Sequence, residues 1–148
     1  MELLIVVSVI NILVAVAIVA YIGARDKARL SFMLATAETA RSDLYHWLHS
    51  SLSNKSNFRE VDTNFDGKID ENDKTNGELY NHVAEIYTHG RNTKLKERSP
   101  WFNIPLWSQD DPPPAGTIGL IQLTERRLKI IVKEKNGQTA YEQLLIAE

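Results

Sequence analysis

The chain reads as an α+β protein, with one long N-terminal α-helix packed on a C-terminal three-stranded antiparallel β-sheet. Three observations predict this. Residues 1–22 form an almost unbroken apolar run. Residues 23–52 carry on at helical spacing with a single apolar stripe. Residues 117–146 break into three short apolar-rich segments, two of them flanking Asn136-Gly137, a dipeptide suited to a tight hairpin. Two regions follow: an apolar helical segment over 1–22, and a globular part over 23–148 that includes the amphipathic half of the helix.

In the first segment Glu2 is the one acid, and of the residues after it only Ser8 and Asn11 are clearly polar. Some 20 apolar residues make a helix of roughly 30 Å, the thickness of a bilayer's hydrocarbon core. Every face is apolar, so the segment belongs in a membrane or in a core that surrounds it. A carboxylate at its tip is costly and implies a task. From Gly23 the character changes. Leu30, Met33/Leu34, Ala37, Ala40, Leu44, Trp47/Leu48 and Leu52 recur every three or four residues, with Asp26, Lys27, Arg29, Glu38, Arg41 and Asp43 mostly between them. No Pro or Gly interrupts 24–52, so residues 3–52 are expected to form one helix of roughly 75 Å. Ser50–Asn57 ends it with small polar residues.

Beyond the helix, Glu78–Tyr87 has the pattern of a short helix, with Leu79, Val83, Ile86 and Tyr87 as its apolar side. Thr88–Pro114 is rich in turn formers and ends in Asp110–Pro114, whose prolines favour an extended surface loop. Within it, WFNIPLW (residues 101–107) is apolar and either plugs the core or meets a neighbouring subunit. Strands are expected at Thr117–Leu123, Leu128–Lys133 and Thr139–Ile146.

Asp62–Asp73 carries the one chemical motif, matching the twelve-residue EF-hand loop. Asp62, Asn64 and Asp66 stand at positions 1, 3 and 5 with side-chain oxygens. Gly67 permits the sharp turn, and Lys68 offers its backbone carbonyl. Ile69 takes the place of the usual apolar anchor, Asp70 follows at position 9, and Asp73 stands where Glu is customary. Calcium (Ca2+) is a hard ion that takes six to eight oxygens, and this spacing presents them from one tight loop. The shorter Asp73 makes the site weaker than a full EF-hand. The flanks are poor in helix signals, so the expectation is a lone calcium loop that staples the globular part, not a helix-opening sensor. The plain alternative is an acidic surface loop with a turn at Asp66-Gly67.

The composition excludes several classes. There are no cysteines, hence no disulfides, thiolate metal sites or thiol nucleophiles. A formal charge of −2 and the lack of a basic stripe argue against nucleic acid as a partner. No nucleophile motif or phosphate-binding glycine loop is present, and the chain is not expected to be an enzyme. His46, His49, His82 and His89 read as solvated or partly packed side chains. Tyr21, Phe32, Tyr45 and Trp47 read as helix packing.

The order ELLIVV at Glu2–Val7, an apolar run through Ile18, Ala20-Tyr21 and then a charged amphipathic helix resembles the N-terminal helix of type IV pilins, over residues 1–45. Asn11 and Val19 stand where many pilins carry Gly and Pro, so no proline marks a kink. The resemblance implies the pilin fold and the role of major structural subunit of a type IV pilus. It implies a homopolymer of identical subunits, held in the inner membrane before assembly and forming an extracellular pilus afterwards. It also implies a mature form that begins about three residues before Met1 after a prepilin peptidase removes a basic leader and methylates the new N-terminus, and an assembly machinery driven by an ATPase. Glu2 matches the family's assembly glutamate, which pairs with a neighbour's N-terminal amine. As an ordinary anchor, Arg25, Lys27 and Arg29 would place the globular part in the cytoplasm; a basic leader reverses that count. The alternatives are a type II secretion pseudopilin, and a membrane-anchored calcium-binding domain that never polymerises.

Overall fold

The computed structural model describes residues 2–53 and 57–148. The expectations that rest on Met1, and on residues 54–56 of the Ser50–Asn57 stretch, lie outside these. The chain divides into two compact units, one ending at Phe32 and the other Met33–Glu148. The fold class is α+β and fits the pilin-like layout: a long N-terminal helix, then a C-terminal, mostly antiparallel sheet.

Helix α1 runs Glu2–Ser51 without a break at Asn11 or Val19. In the first unit its side chains are exposed almost throughout. In the second unit α1 buries Met33, Ala37, Ala40, Leu44, Trp47 and Leu48, the stripe that the three- and four-residue spacing predicts. The alanines on this face leave room for close approach of a neighbouring layer. The helix closes through Ser51 Oγ, which donates to the Leu48 carbonyl at 2.7 Å, and through short-range bonds from Leu52 and Ser53 N–H to His49 and Ser50 carbonyls.

In place of the single short helix expected at Glu78–Tyr87, there are two. Helix α2 (Asn76–Leu79) begins with a capping box, in which Thr75 and Glu78 satisfy each other's backbone N–H. Asn81 then takes a left-handed φ of 63°, which stops the helix and lets α3 restart at Val83 and run to Thr93. The apolar period continues through this break, so period alone does not reveal it.

The sheet has four strands in the order β1-β2-β3-β4: β1 Trp107–Ser108, β2 Ile118–Thr124, β3 Arg127–Lys133 and β4 Thr139–Ile146. The last three are the expected antiparallel meander, and Gly137 at φ 83° makes the predicted hairpin turn. The three-stranded expectation is corrected by β1, which pairs parallel to β2. Two residues are too few to show a period. What holds β1 is Asn92: its side-chain carbonyl accepts from Trp107 N–H at 3.1 Å and its amide donates to Trp107 O at 2.8 Å. The WFNIPLW question is answered for its end: Leu106 and Trp107 are buried in the core.

Ile118 and Leu120 of β2, Leu128, Ile130 and Val132 of β3 and Leu145 of β4 join the α1 stripe, Val83, Tyr87 and Trp107 in one core. On the other face of the sheet Pro113 is buried against Gly119, where any Cβ would lie 2.7 Å from the proline ring. The Asp110–Pro114 segment is therefore a cover for the sheet as well as a surface loop.

Candidate functional site

The Asp62–Asp73 loop takes the backbone shape its sequence asks for. Gly67 sits at φ 86°, where a side chain would be strained, and Phe65 also adopts a positive φ of 59°. The side-chain oxygens of the first half turn back on the loop. Asp62 Oδ2 accepts from Gly67 N–H at 2.7 Å, Asn64 Oδ1 from Asp66 N–H at 2.9 Å, and Asp66 Oδ1 from Lys68 N–H at 2.9 Å. Asp70 Oδ1 accepts from Asn72 N–H at 2.8 Å.

Asp73 behaves differently. It is buried, and it closes the loop end to end. Its Oδ1 accepts from Thr63 N–H (2.7 Å), the Thr63 hydroxyl (3.1 Å) and Asn64 N–H (3.1 Å), and its Oδ2 accepts from Asp70 N–H at 2.9 Å. Thr63 Oγ1 in turn accepts from Lys74 N–H at 2.7 Å. Burial pushes the Asp73 carboxyl up. The N–H groups of Asp70, Thr63 and Asn64 and the Thr63 hydroxyl outweigh it and hold the group below the usual aspartate range.

The apolar anchor is not the expected one. Ile69, at position 8, is 54% exposed. Phe65, at position 4, packs instead on Trp47 and Tyr87, with ring centroids 5.7 and 5.8 Å away. A side chain at Gly90 of α3 would fall against Phe65 Cε2 and Cδ2. Phe65, Thr63 and Gly90 are the site residues that sequence reasoning missed. The available signal was a large aromatic inside an otherwise polar loop.

The loop's donor chemistry fits calcium. Asp62, Asn64, Asp66, Asp70 and Asp73, with the Lys68 carbonyl, form an all-oxygen set, and most of the side-chain oxygens that accept an N–H keep a second lone pair. Among the described residues, no three His, Asp or Glu side chains gather closely enough to form a cage for a metal ion. What the loop possesses as it stands is a hydrogen-bonded clasp at Asp73.

The second candidate region is the first unit. Glu2 is exposed in the first turn of α1. Behind it Leu3, Ile5, Ile12, Leu13, Val16 and Val19 are each more than 60% exposed. An 18-residue window of α1 has a mean hydropathy of 3.1 with none of it buried, and is long and apolar enough to cross a membrane. The aromatics of α1 divide accordingly. Trp47 is core, whereas Tyr21, Phe32 and Tyr45 lie on exposed positions of the helix. Of the histidines, His82 lies 3.0 Å from Glu85, His49 packs at a tilt against Tyr45 with ring centroids 4.5 Å apart, and His46 and His89 are exposed. Comparison with protein-family models, with curated proteins and with solved structures finds no match to this chain.

Proposed function

We propose that this chain is the structural subunit of a type IV pilus, anchored in the inner membrane by the first part of α1 before assembly and packed through it with identical copies in the filament afterwards. One observation carries the reading: within a single 50-residue helix, residues 33–48 bury one stripe in a folded core while residues 3–22 expose apolar side chains on every side. Fully burying a Val, Leu or Ile is worth roughly 1.5–3 kcal/mol, so such a segment stays in water only at great cost. Lipid supplies the cover for a solitary subunit, and neighbouring helices supply it in a polymer. Glu2 gives the polymer its register. A carboxylate in an apolar interior needs a cationic partner, and a neighbour's N-terminal amine is the one available at that depth.

The chain is a scaffold and not a catalyst in this reading. Calcium, when bound, would be held by Asp62, Asn64, Asp66, the Lys68 carbonyl, Asp70 and Asp73. It would tie together a loop that lacks any disulfide to do so. The prepilin peptidase and the assembly machinery are partners by resemblance.

The test is mass spectrometry of filaments sheared from the cell surface. The expected result is that this chain dominates the sheared fraction and carries a methylated N-terminal peptide. Its absence there, with its presence in the envelope, would overturn the pilus reading in favour of a pseudopilin or a plain anchored domain.

A further inference from the structure

A charged collar follows the apolar part of α1 within the first unit. Residues 3–22 carry no charged side chain, and Arg25, Asp26, Lys27 and Arg29 come directly after them. Asp26 and Arg29 are drawn together at 3.5 Å. Arg25 and Lys27 are exposed, and the side chain of neither has a hydrogen-bond or ion-pair partner among the described residues. Tyr21, 66% exposed, stands one turn before Arg25 on the same side of the helix.

Depth decides what these cations meet. Residues 3–22 span about 30 Å as a helix and fill a hydrocarbon layer. Seated there, α1 puts Tyr21 at the boundary and carries Arg25 and Lys27 about 4.5 and 7.5 Å beyond Ile22. The headgroup layer is roughly 5–7 Å deep on each side, so both cations reach the level of the lipid phosphates. A tyrosine at that boundary keeps its ring in the apolar layer and its hydroxyl among the headgroups. At about 100° per residue, Arg25 and Lys27 point some 160° apart, too divergent to share one phosphate. Gly23, Ala24 and Ala28 add little bulk beside them, and a side chain added at Gly23 would meet nothing within 4 Å. Each cation is open to a lipid of its own. A zwitterionic headgroup brings a cation along with its phosphate, so a lipid of net negative charge is the better match.

We propose that the collar of α1 binds two anionic phospholipids, one by its phosphate on Arg25 beside Tyr21, the other by its phosphate on Lys27. This rests on the membrane anchor of the proposed function and names the lipid class which that anchor selects.

The experiment places the full chain, one copy per disc, in lipid nanodiscs and replaces phosphatidylcholine stepwise by phosphatidylglycerol, followed by NMR. One cation near the surface gives a preference of about fivefold, so the shifts at residues 21–29 should be half complete at about one sixth phosphatidylglycerol. Arg25→Gln should move the midpoint at residues 21–25 to about one half and leave that at Lys27 in place. Lys27→Gln should do the converse, and Lys27→Arg should behave as the wild type. A wild-type midpoint near one half, or variants that titrate as the wild type does, would overturn the proposal. So would a response confined to discs that hold two copies, which assigns the cations to a neighbour's acids. A soluble gadolinium chelate separates this site from the anchor itself. Protection of residues 5–18 without lipid preference removes the site alone, whereas their exposure to the chelate removes both the anchor and the site.

Discussion

The contact between Phe65 and Gly90 makes a prediction that depends only on packing. Gly90 lies inside α3, where alanine would ordinarily be favoured by up to about 1 kcal/mol. Here the added methyl meets the Phe65 ring, which is fixed between Trp47 and Tyr87 on a residue of positive φ. Overpacking a filled core costs typically 1–3 kcal/mol, so Gly90→Ala should destabilise by about 1–2 kcal/mol after the helix gain. Phe65→Ala empties the space and should cost about 2–3 kcal/mol, less than a wholly buried phenylalanine because the ring is only partly enclosed. In the Phe65→Ala background Gly90→Ala has nothing to strike and should change sign, stabilising by about 0.5–1 kcal/mol. The double-mutant coupling is then about 2 kcal/mol, within the range for residues in contact. Urea unfolding of the full chain in one detergent, followed by tryptophan fluorescence, measures it. If Gly90→Ala costs the same in both backgrounds, the ring does not fill the glycine's space and the account of the loop's anchorage fails.

Three further outcomes are expected. Asp73→Asn turns one acceptor into a donor facing N–H groups and should destabilise by about 2–3 kcal/mol, read from the urea midpoint. Because the Asp73 carboxyl is held low in the folded state, its contribution is fully present above the unfolded value of about 3.9 and fades as pH falls through the lower folded value; in EGTA the variant should lose that part of the acid slope. Addition of EGTA to the wild type should lower the melting temperature, and an unchanged curve would remove calcium from the account of the loop. Glu2→Gln should block or slow filament formation while near-ultraviolet circular dichroism of the globular part is unchanged; normal filaments in that variant would deprive Glu2 of its role.

Much of this architecture is legible because it rests on long periods. The α1 stripe from Met33 to Leu48 and the strands β2 to β4 each repeat their pattern often enough to be read. The misses are short or tertiary. Strand β1 has two residues and exists because Asn92, fifteen residues earlier, clasps both backbone groups of Trp107. The break between α2 and α3 is a single left-handed residue, Asn81. In the loop, Gly67 and the acidic spacing were visible, but the choice of anchor was not. Ile69 and Phe65 are both apolar, and only the presence of Trp47 and of a side-chain-free Gly90 decides for Phe65. The inward turn of Asp73 was equally hidden, since its partners Thr63 and Asn64 lie at the loop's other end.

That inward turn bears on how much calcium has to contribute. A chain with no cysteine needs some other closure for a twelve-residue loop, and Asp73 already supplies one through four hydrogen bonds. Two of these come from Thr63, which also ties Lys74 to the same point. Phe65 adds a second fixture from the loop's middle into the core. A loop held at both places does not depend on metal for its fold, so in the proposed reading calcium would add to stability instead of creating it. At ten times the dissociation constant the gain is about 1.4 kcal/mol, or roughly 4–7 °C in melting temperature for a domain of this size. The loop should therefore lose stability in EGTA by that increment and remain folded, whereas a calcium site that nucleates its own domain would unfold outright.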